Sequence, residues 1–217
     1  EQLPFMATSC CPAWSVMAKK LFPEQANCIS MALTPMTLTA RLIKHHQPGA
    51  KVAFIGPCAA KKLEAMRRTV RSEVDFVLTF EEMAGIFEAR HIDVNTLKED
   101  PHGVNDASAD GRNFAVSGGV AQAVVNVIKE KYPDREIKVA NAEGLSECRK
   151  LMMMAKAGKY NGYLLEGMAC PGGCVAGAGT MQSIKKSSVA VNMYAKQAEH
   201  QVATGTHHVA ELDKLVD

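Results

Sequence analysis

Short apolar, β-branched runs alternate along this chain with stretches whose apolar residues recur at helical spacing. Residues 13–22 (AWSVMAKKLF) read as a short helix stopped by Pro23. Residues 35–46 (PMTLTARLIKHH) read as a second helix, with Thr34 as its cap and Pro35 at the first helical position. Residues 51–55 (KVAFI) follow Pro48-Gly49 as a buried strand and run through Gly56-Pro57-Cys58 into a helix at 59–68. The unit repeats as a strand at 74–79 and a helix at 80–90 capped by Thr79. A polar stretch, 95–113, reads as a long loop, and 114–116 as a brief strand. Ser117-Gly118-Gly119 opens a helix to about Tyr132, followed by a strand at 136–140, a helix at 144–158 and a strand at 162–165. The tail predicts a helix over 181–202 and a short one at 208–216.

Strands alternating with helices at this rhythm predict an α/β fold, parallel-sheet lobes flanked by helices. Ligands of such sheets sit outside the carboxyl ends of the strands. Cys58 and Cys170 both fall just after predicted strands, so the fold is expected to bring them to one site.

Bulk properties narrow the function less than they exclude. The 217 residues carry a net charge of +2, 47% hydrophobic and 22% charged residues, ordinary for a globular protein and no pointer to nucleic acid or an anionic membrane. No apolar run approaches the roughly 20 residues of a membrane span, and residues 1–14 lack the basic and apolar regions of a signal peptide. Seven cysteines, an odd number without dense spacing, suit reduced thiols engaged in metal or redox chemistry in the cytoplasm. The twelve methionines, Met152-Met153-Met154 among them, read as adaptable core filler.

The cysteines carry the chemistry. Cys170 and Cys174 are four residues apart, a spacing that would put both sulfurs on one face of a helix. Glycines at 172, 173, 177 and 179 would let backbone approach something bulky. With Cys58 and one member of the Cys10-Cys11 doublet, they make four thiolates, the usual protein complement of an iron–sulfur cluster. Adjacent cysteines do not readily share one metal, which leaves the other thiol of the doublet for proton traffic or for a structural role. Cys58 enters a helix start, where free N–H groups favour an anion and Lys61 adds a cation. Zinc is the rival, although no His–x3–5–His partner exists; His45-His46 and His207-His208 read as solvated surface. Cys28 and Cys148 have no motif around them and read as inert.

Taken in order, TSCCPAW (8–14), GPCAAKKLE (56–64) and EGMACPGGC (166–174) resemble the three signature segments of the [FeFe]-hydrogenase (iron-only hydrogenase) catalytic domain. Pro4-Phe5-Met6, the strand at 75–79 and Ser117-Gly118-Gly119-Val120 extend the likeness over about residues 3–180. It implies an H-cluster domain, in part, over 1–180, with 181–217 as a helical tail. The family's H-cluster is a [4Fe–4S] cubane bridged by a cysteine sulfur to a two-iron unit carrying CO, cyanide and a dithiolate. By motif match, Cys11, Cys58, Cys170 and Cys174 would hold the cubane, with Cys174 bridging. Cys10 would pass protons to the dithiolate amine. Ser30 stands at the spacing of the next relay hydroxyl, with an ordinary loop serine as the alternative. Lys61 would donate to a cyanide, Met168 would pack on the diiron unit, and Glu64 would help fix the second motif.

The implied activity is reversible reduction of protons to H2, with ferredoxin or another carrier delivering electrons and maturation proteins assembling the cluster. Gly56 stands where well-studied members carry methionine, and with Ala13 this resembles a less studied branch. The first motif starts at residue 8, and no Cys–x2–Cys–x2–Cys run is present. The expectation is a fragment of a longer chain, or one whose missing wall comes from a partner, without the cluster when isolated. A hydrogenase-like iron–sulfur assembly or scaffold protein, a sensory relative, and a plain zinc or electron-transfer domain are the alternatives; Cys10 argues against the first two.

Overall fold

A computed structural model describes residues 3–98 and 106–212. Every paired strand in it is parallel. One sheet has the order β1 (Met6–Ala7), β5 (Tyr163–Met168), β4 (Lys138–Glu143), and a second pairs β2 (Ala53–Gly56) with β3 (Phe76–Thr79). The expected parallel-sheet lobes flanked by helices are present.

Each crossover helix follows from its local sequence. Helix α1 (Pro12–Leu21) starts on a proline whose missing N–H would have had no partner there, and ends before Pro23. Helix α2 (Pro35–His46) starts the same way behind Thr34. A short α3 (Ala60–Met66) links β2 to β3, and α4 (Phe80–Ala89) follows β3 at once. Its start is a reciprocal capping box: Thr79 N–H donates to Glu82 Oε2, and Glu82 N–H donates to Thr79 Oγ1. Helix α6 (Gly119–Lys131) precedes β4, α7 (Leu145–Lys156) joins β4 to β5, and α8 (Ile184–Lys196) follows the last cysteine segment.

The main core lies between the larger sheet, α1 and α7. Phe5, Ala7, Trp14, Ile29, Leu151, Met152 and Leu165 are all buried there, with Cys28 and Cys148 among them as inert filling. Met152 is core, as expected of the methionine triplet, whereas Met153 is exposed. The strand at 51–55, expected to be buried, is corrected: β2 lies in the smaller, more open sheet, with Ile55 and Phe76 exposed.

Four local expectations are corrected. Strand β1 was not foreseen, because two residues are too few to show alternation; β5 supplies its partner. The expected strand at 114–116 is instead a 3-10 turn, Asn113–Ala115, since no strand lies beside it. Within the expected loop 95–113, residues 99–105 lie outside the described residues, and Ser108 caps a helical turn, α5 (Ala109–Arg112). The tail helix is shorter than 181–202; beyond it α9 (Val209–Leu212) begins the second expected helix, the rest of which lies outside the described residues.

Candidate metal centre

All three cysteine segments leave the carboxyl ends of parallel strands. Cys10 and Cys11 follow β1, Cys58 follows β2, and Cys170 and Cys174 follow β5. This is where open α/β sheets place their ligands. All seven cysteines are free thiols.

Cys11 caps α1, and Ala169 N–H donates to its sulfur at 3.5 Å, which links the first segment to the third. Trp14, one turn on, is fully buried and donates from Nε1 to the Thr8 carbonyl at 2.9 Å. The Cys170–Cys174 segment is not the helix its spacing suggested. Gly172 and Gly173 have φ of 91° and 96°, a left-handed geometry that glycine tolerates and that breaks the helix. Cys174 then starts a 3-10 turn, with Gly177 N–H donating to its carbonyl at 2.9 Å.

The glycines have a structural reason. A Cβ on Gly173 would lie 2.6 Å from the Ser117 nitrogen, and one on Gly177 would lie 2.4 Å from the Pro57 carbonyl oxygen. Gly179 N–H donates to that same carbonyl at 3.0 Å. The third segment is thus laid directly onto the backbone of the second, and only residues without side chains permit it.

A cavity of about 620 Å³ opens at this junction, within the size range of ligand pockets. Cys10, Cys11, Cys58, Cys174, Lys61 and Met168 line it, with Phe54, Pro57, Phe80, Phe114 and Val175 as apolar wall. Lys61 is buried beside it, its Nζ 2.7 Å from Glu64 Oε2 and 3.4 Å from the Cys10 carbonyl oxygen. Met168 ends β5 and is 2% exposed. Ser30 lies beside β1, its N–H donating to the Ala7 carbonyl at 2.8 Å. Its hydroxyl accepts from Ala32 N–H at 3.1 Å, a local turn rather than a link to Cys10.

The thiols sense one another. Burial pushes Cys174 up to about 11, reinforced by Cys58, Cys11 and Cys170. Burial raises Cys170 as well, with Cys11 and Cys58 adding to it. Burial pushes Cys10 up to about 12, with Glu166, Cys11 and Cys174 raising it further and Lys61 opposing. These five sulfurs therefore share one electrostatic neighbourhood. Yet among the described residues no three of them lie within 4.8 Å of one another. A single tetrahedral zinc, with bonds of ~2.3 Å, would hold its sulfurs about 3.8 Å apart. Thiolate donors spread around a roomy cavity fit a multi-iron cluster better than one ion.

Two carboxylates escaped the sequence reading. Glu166 is completely buried in β5, accepting from Gly118 N–H and Ala121 N–H at 2.6 Å each, at the start of α6. Burial raises its pKa while those backbone donors lower it. Glu143 accepts from Gly172 N–H at 2.7 Å and so steadies the Cys170–Cys174 turn. The available signal was a charged residue inside the apolar run YLLEGM, which needs partners if it is buried. Arg112, also on the cavity wall, stacks its guanidinium 3.9 Å from the Tyr194 ring centroid.

Comparison with known proteins gives the family and the fold. The chain is 30% identical over 215 residues to the periplasmic [Fe] hydrogenase large subunit of Nitratidesulfovibrio vulgaris, covering 79% of this chain and 50% of that protein. It is 27% identical over 222 residues to the nuclear prelamin A recognition factor of Homo sapiens, covering 82% and 48%. The chain thus spans about half the length of these curated relatives. A solved [FeFe]-hydrogenase from Chlamydomonas reinhardtii superposes with a TM-score of 0.75 at 23% identity, covering 98% of this chain and 71% of that one. No described helix is long and apolar enough to cross a membrane. The model for "iron only hydrogenase large subunit, C-terminal domain" matches residues 1–178, and the chain belongs to that family.

Proposed function

We propose that this chain is the cluster-binding part of a catalytic [FeFe]-hydrogenase, which interconverts protons and H2. The observation that carries the reading is a surplus thiol: Cys10 lines the same cavity as Cys11, Cys58 and Cys174, and Cys170, which is not on that wall, feels the charges of Cys11 and Cys58, so five thiols gather where four would serve. Four cysteines suffice to hold a cubane. An additional thiol facing the cavity is a group placed to move a proton.

In this reading Cys11, Cys58, Cys170 and Cys174 would hold the cubane, and Cys174 would also hold the diiron unit. When bound, the H-cluster supplies the open iron site and the electrons. The chain supplies the rest. Cys10 holds a proton at its Sγ on the cavity wall. Lys61, pinned by Glu64, presents a buried ammonium that would offset the negative charge of an anionic cluster and could donate to its ligands. Met168 and the apolar wall exclude water. Ser30 would extend the proton path only if its hydroxyl left Ala32. Electrons would arrive from a ferredoxin or similar carrier, the cluster from maturation proteins, and the compartment would be the cytoplasm.

The second reading is a hydrogenase-like iron–sulfur protein without turnover. It is favoured by the likeness to the nuclear prelamin A recognition factor, a name that describes recognition rather than redox chemistry. Infrared spectroscopy of the complete protein, matured without oxygen, separates the two. Bands of metal-bound CO and cyanide are expected, and Cys174→Ser should abolish them. Cys10→Ser should keep the bands and lower H2 turnover by about 10²–10⁴-fold, the usual weight of a positioned acid–base group. Iron and sulfide bound without those bands would select the second reading.

A further inference from the structure

Away from the cluster cysteines, two imidazole nitrogens converge on one carboxylate oxygen. His208 Nε2 lies 2.7 Å from Asp106 Oδ2, and His207 Nε2 lies 3.6 Å from the same atom. All three ligand atoms fall within 4.8 Å of one another. The expectation of a solvated histidine pair holds for His207, which is exposed, and is corrected for His208, which is half-buried with Asp106 on one ring nitrogen and Glu211 on the other.

We infer that Asp106, His207 and His208 form a second metal site, for a divalent transition ion such as Zn2+, that fastens the C-terminal segment to the entry of α5. A tetrahedral zinc with bonds of ~2.0–2.1 Å holds its nitrogen and oxygen ligands about 3.3 Å apart. The separations of 2.7 and 3.6 Å to Asp106 bracket that value. Two imidazoles with one carboxylate select Zn2+, Ni2+ or Cu2+ over Mg2+ or Ca2+, which favour oxygen throughout. Glu211 Oε2, 3.5 Å from His208 Nδ1, stands where a carboxylate orients a ligating imidazole and fixes its tautomer.

A plain ion pair accounts for His208 but not for both rings. Their centroids are 3.9 Å apart, and His207 Nε2, 3.6 Å from Asp106 Oδ2, is beyond hydrogen-bond range of it. A divalent ion shared by Asp106 and both rings would give His207 a partner and leave a fourth position for water. Ala109 N–H already donates to the His200 carbonyl at 2.8 Å, and Asp110 N–H to that of Gln201 at 3.1 Å. The ion would close this backbone strap behind Gly111 and Arg112, which line the cavity.

The test is Co2+ titration of the whole chain by absorption, because thiolate ligation gives intense near-ultraviolet charge-transfer bands and N/O ligation does not. One equivalent is expected with visible bands alone. Asp106→Asn and His207→Gln should each weaken it more than tenfold, while Cys58→Ser should leave it intact. Glu211→Gln, which removes no ligand, should weaken it about 10–100-fold. Excess Zn2+ should raise the Tm in a Cys58→Ser background, and Asp106→Asn should cancel that rise. Binding confined to thiolate-type bands, or N/O binding unchanged by Asp106→Asn and by Glu211→Gln, would overturn the site.

Discussion

The indole of Trp14 fills the space in which a side chain at position 167 would lie: a Cβ on Gly167 would come 2.3 Å from Cδ2 of that ring. Trp14 belongs to α1 and Gly167 to β5, so this contact sets the helix carrying Cys11 against the strand leading to Cys170. Gly167→Ala must displace a buried ring or the strand itself. Overpacking of this kind costs about 1–3 kcal/mol. Urea denaturation should show that loss, and iron uptake on anaerobic reconstitution should fall, because the Ala169–Cys11 contact shifts with the strand. Unchanged stability would mean that α1 slides freely on the sheet.

Lys61 and Glu64 are both buried and form a 2.7 Å ion pair. Removing one charge from such a pair strands the other, at a cost of about 3–5 kcal/mol, whereas replacing both with apolar residues is often neutral. Glu64→Leu alone should therefore destabilise the chain far more than Lys61→Met with Glu64→Leu together. A double-mutant cycle by urea denaturation measures this; additive effects would show that the two charges are not coupled. The double variant should still lose H2 turnover in the matured protein if Lys61 faces the cluster.

The strand–helix rhythm, the cap at Thr79, the helix start at Thr34-Pro35 and the placement of Cys58 and Cys170 after strands were legible because each rests on local pattern. What was not legible depends on partners distant in sequence. β1 is a strand only because Met6 and Ala7 meet Leu164 and Leu165. The Cys170–Cys174 segment follows helical spacing but turns at two left-handed glycines, because it must lie on Pro57 and Ser117. Glu166 reads as an intruder in an apolar strand until Gly118 and Ala121 supply its donors. The pairing of His208 with Asp106 bridges 102 positions, beyond any local signal.

The approach of Gly177 to Pro57 gives a test of how the segments are held. A methyl group at 177 would sit 2.4 Å from the Pro57 oxygen, a rigid backbone atom that cannot yield by rotating. Gly177→Ala should lift the third segment from the second and cost about 1–3 kcal/mol. Iron per chain after reconstitution should drop, although every cysteine is kept. Iron content equal to that of the unsubstituted chain would show that the cavity tolerates separation of Cys58 from Cys174.

Asp75 joins the two strands of the smaller sheet at their start. Its Oδ2 accepts from Val52 N–H at 2.8 Å and lies 2.9 Å from Lys44 Nζ, with Lys51 on the other oxygen at 3.2 Å. The Val52 hydrogen bond, then Lys44, hold its carboxyl well below the usual carboxylate range, and Lys51 assists. A carboxylate depressed in the folded state contributes stability that is fully present above its unfolded pKa of about 3.9 and is lost as pH falls toward the folded value. Asp75→Asn keeps an acceptor for Val52 but no charge for the lysines. The variant should be less stable than the parent at neutral pH, and the gap should close in acid as the parent's own carboxyl takes up its proton. Lys51 is largely exposed, so added salt should shrink the gap at neutral pH without abolishing it. Urea midpoints of both proteins between about pH 7 and pH 3 decide the matter. A gap constant across that span would assign the effect of Asp75 to its hydrogen bond with Val52 and none of it to charge.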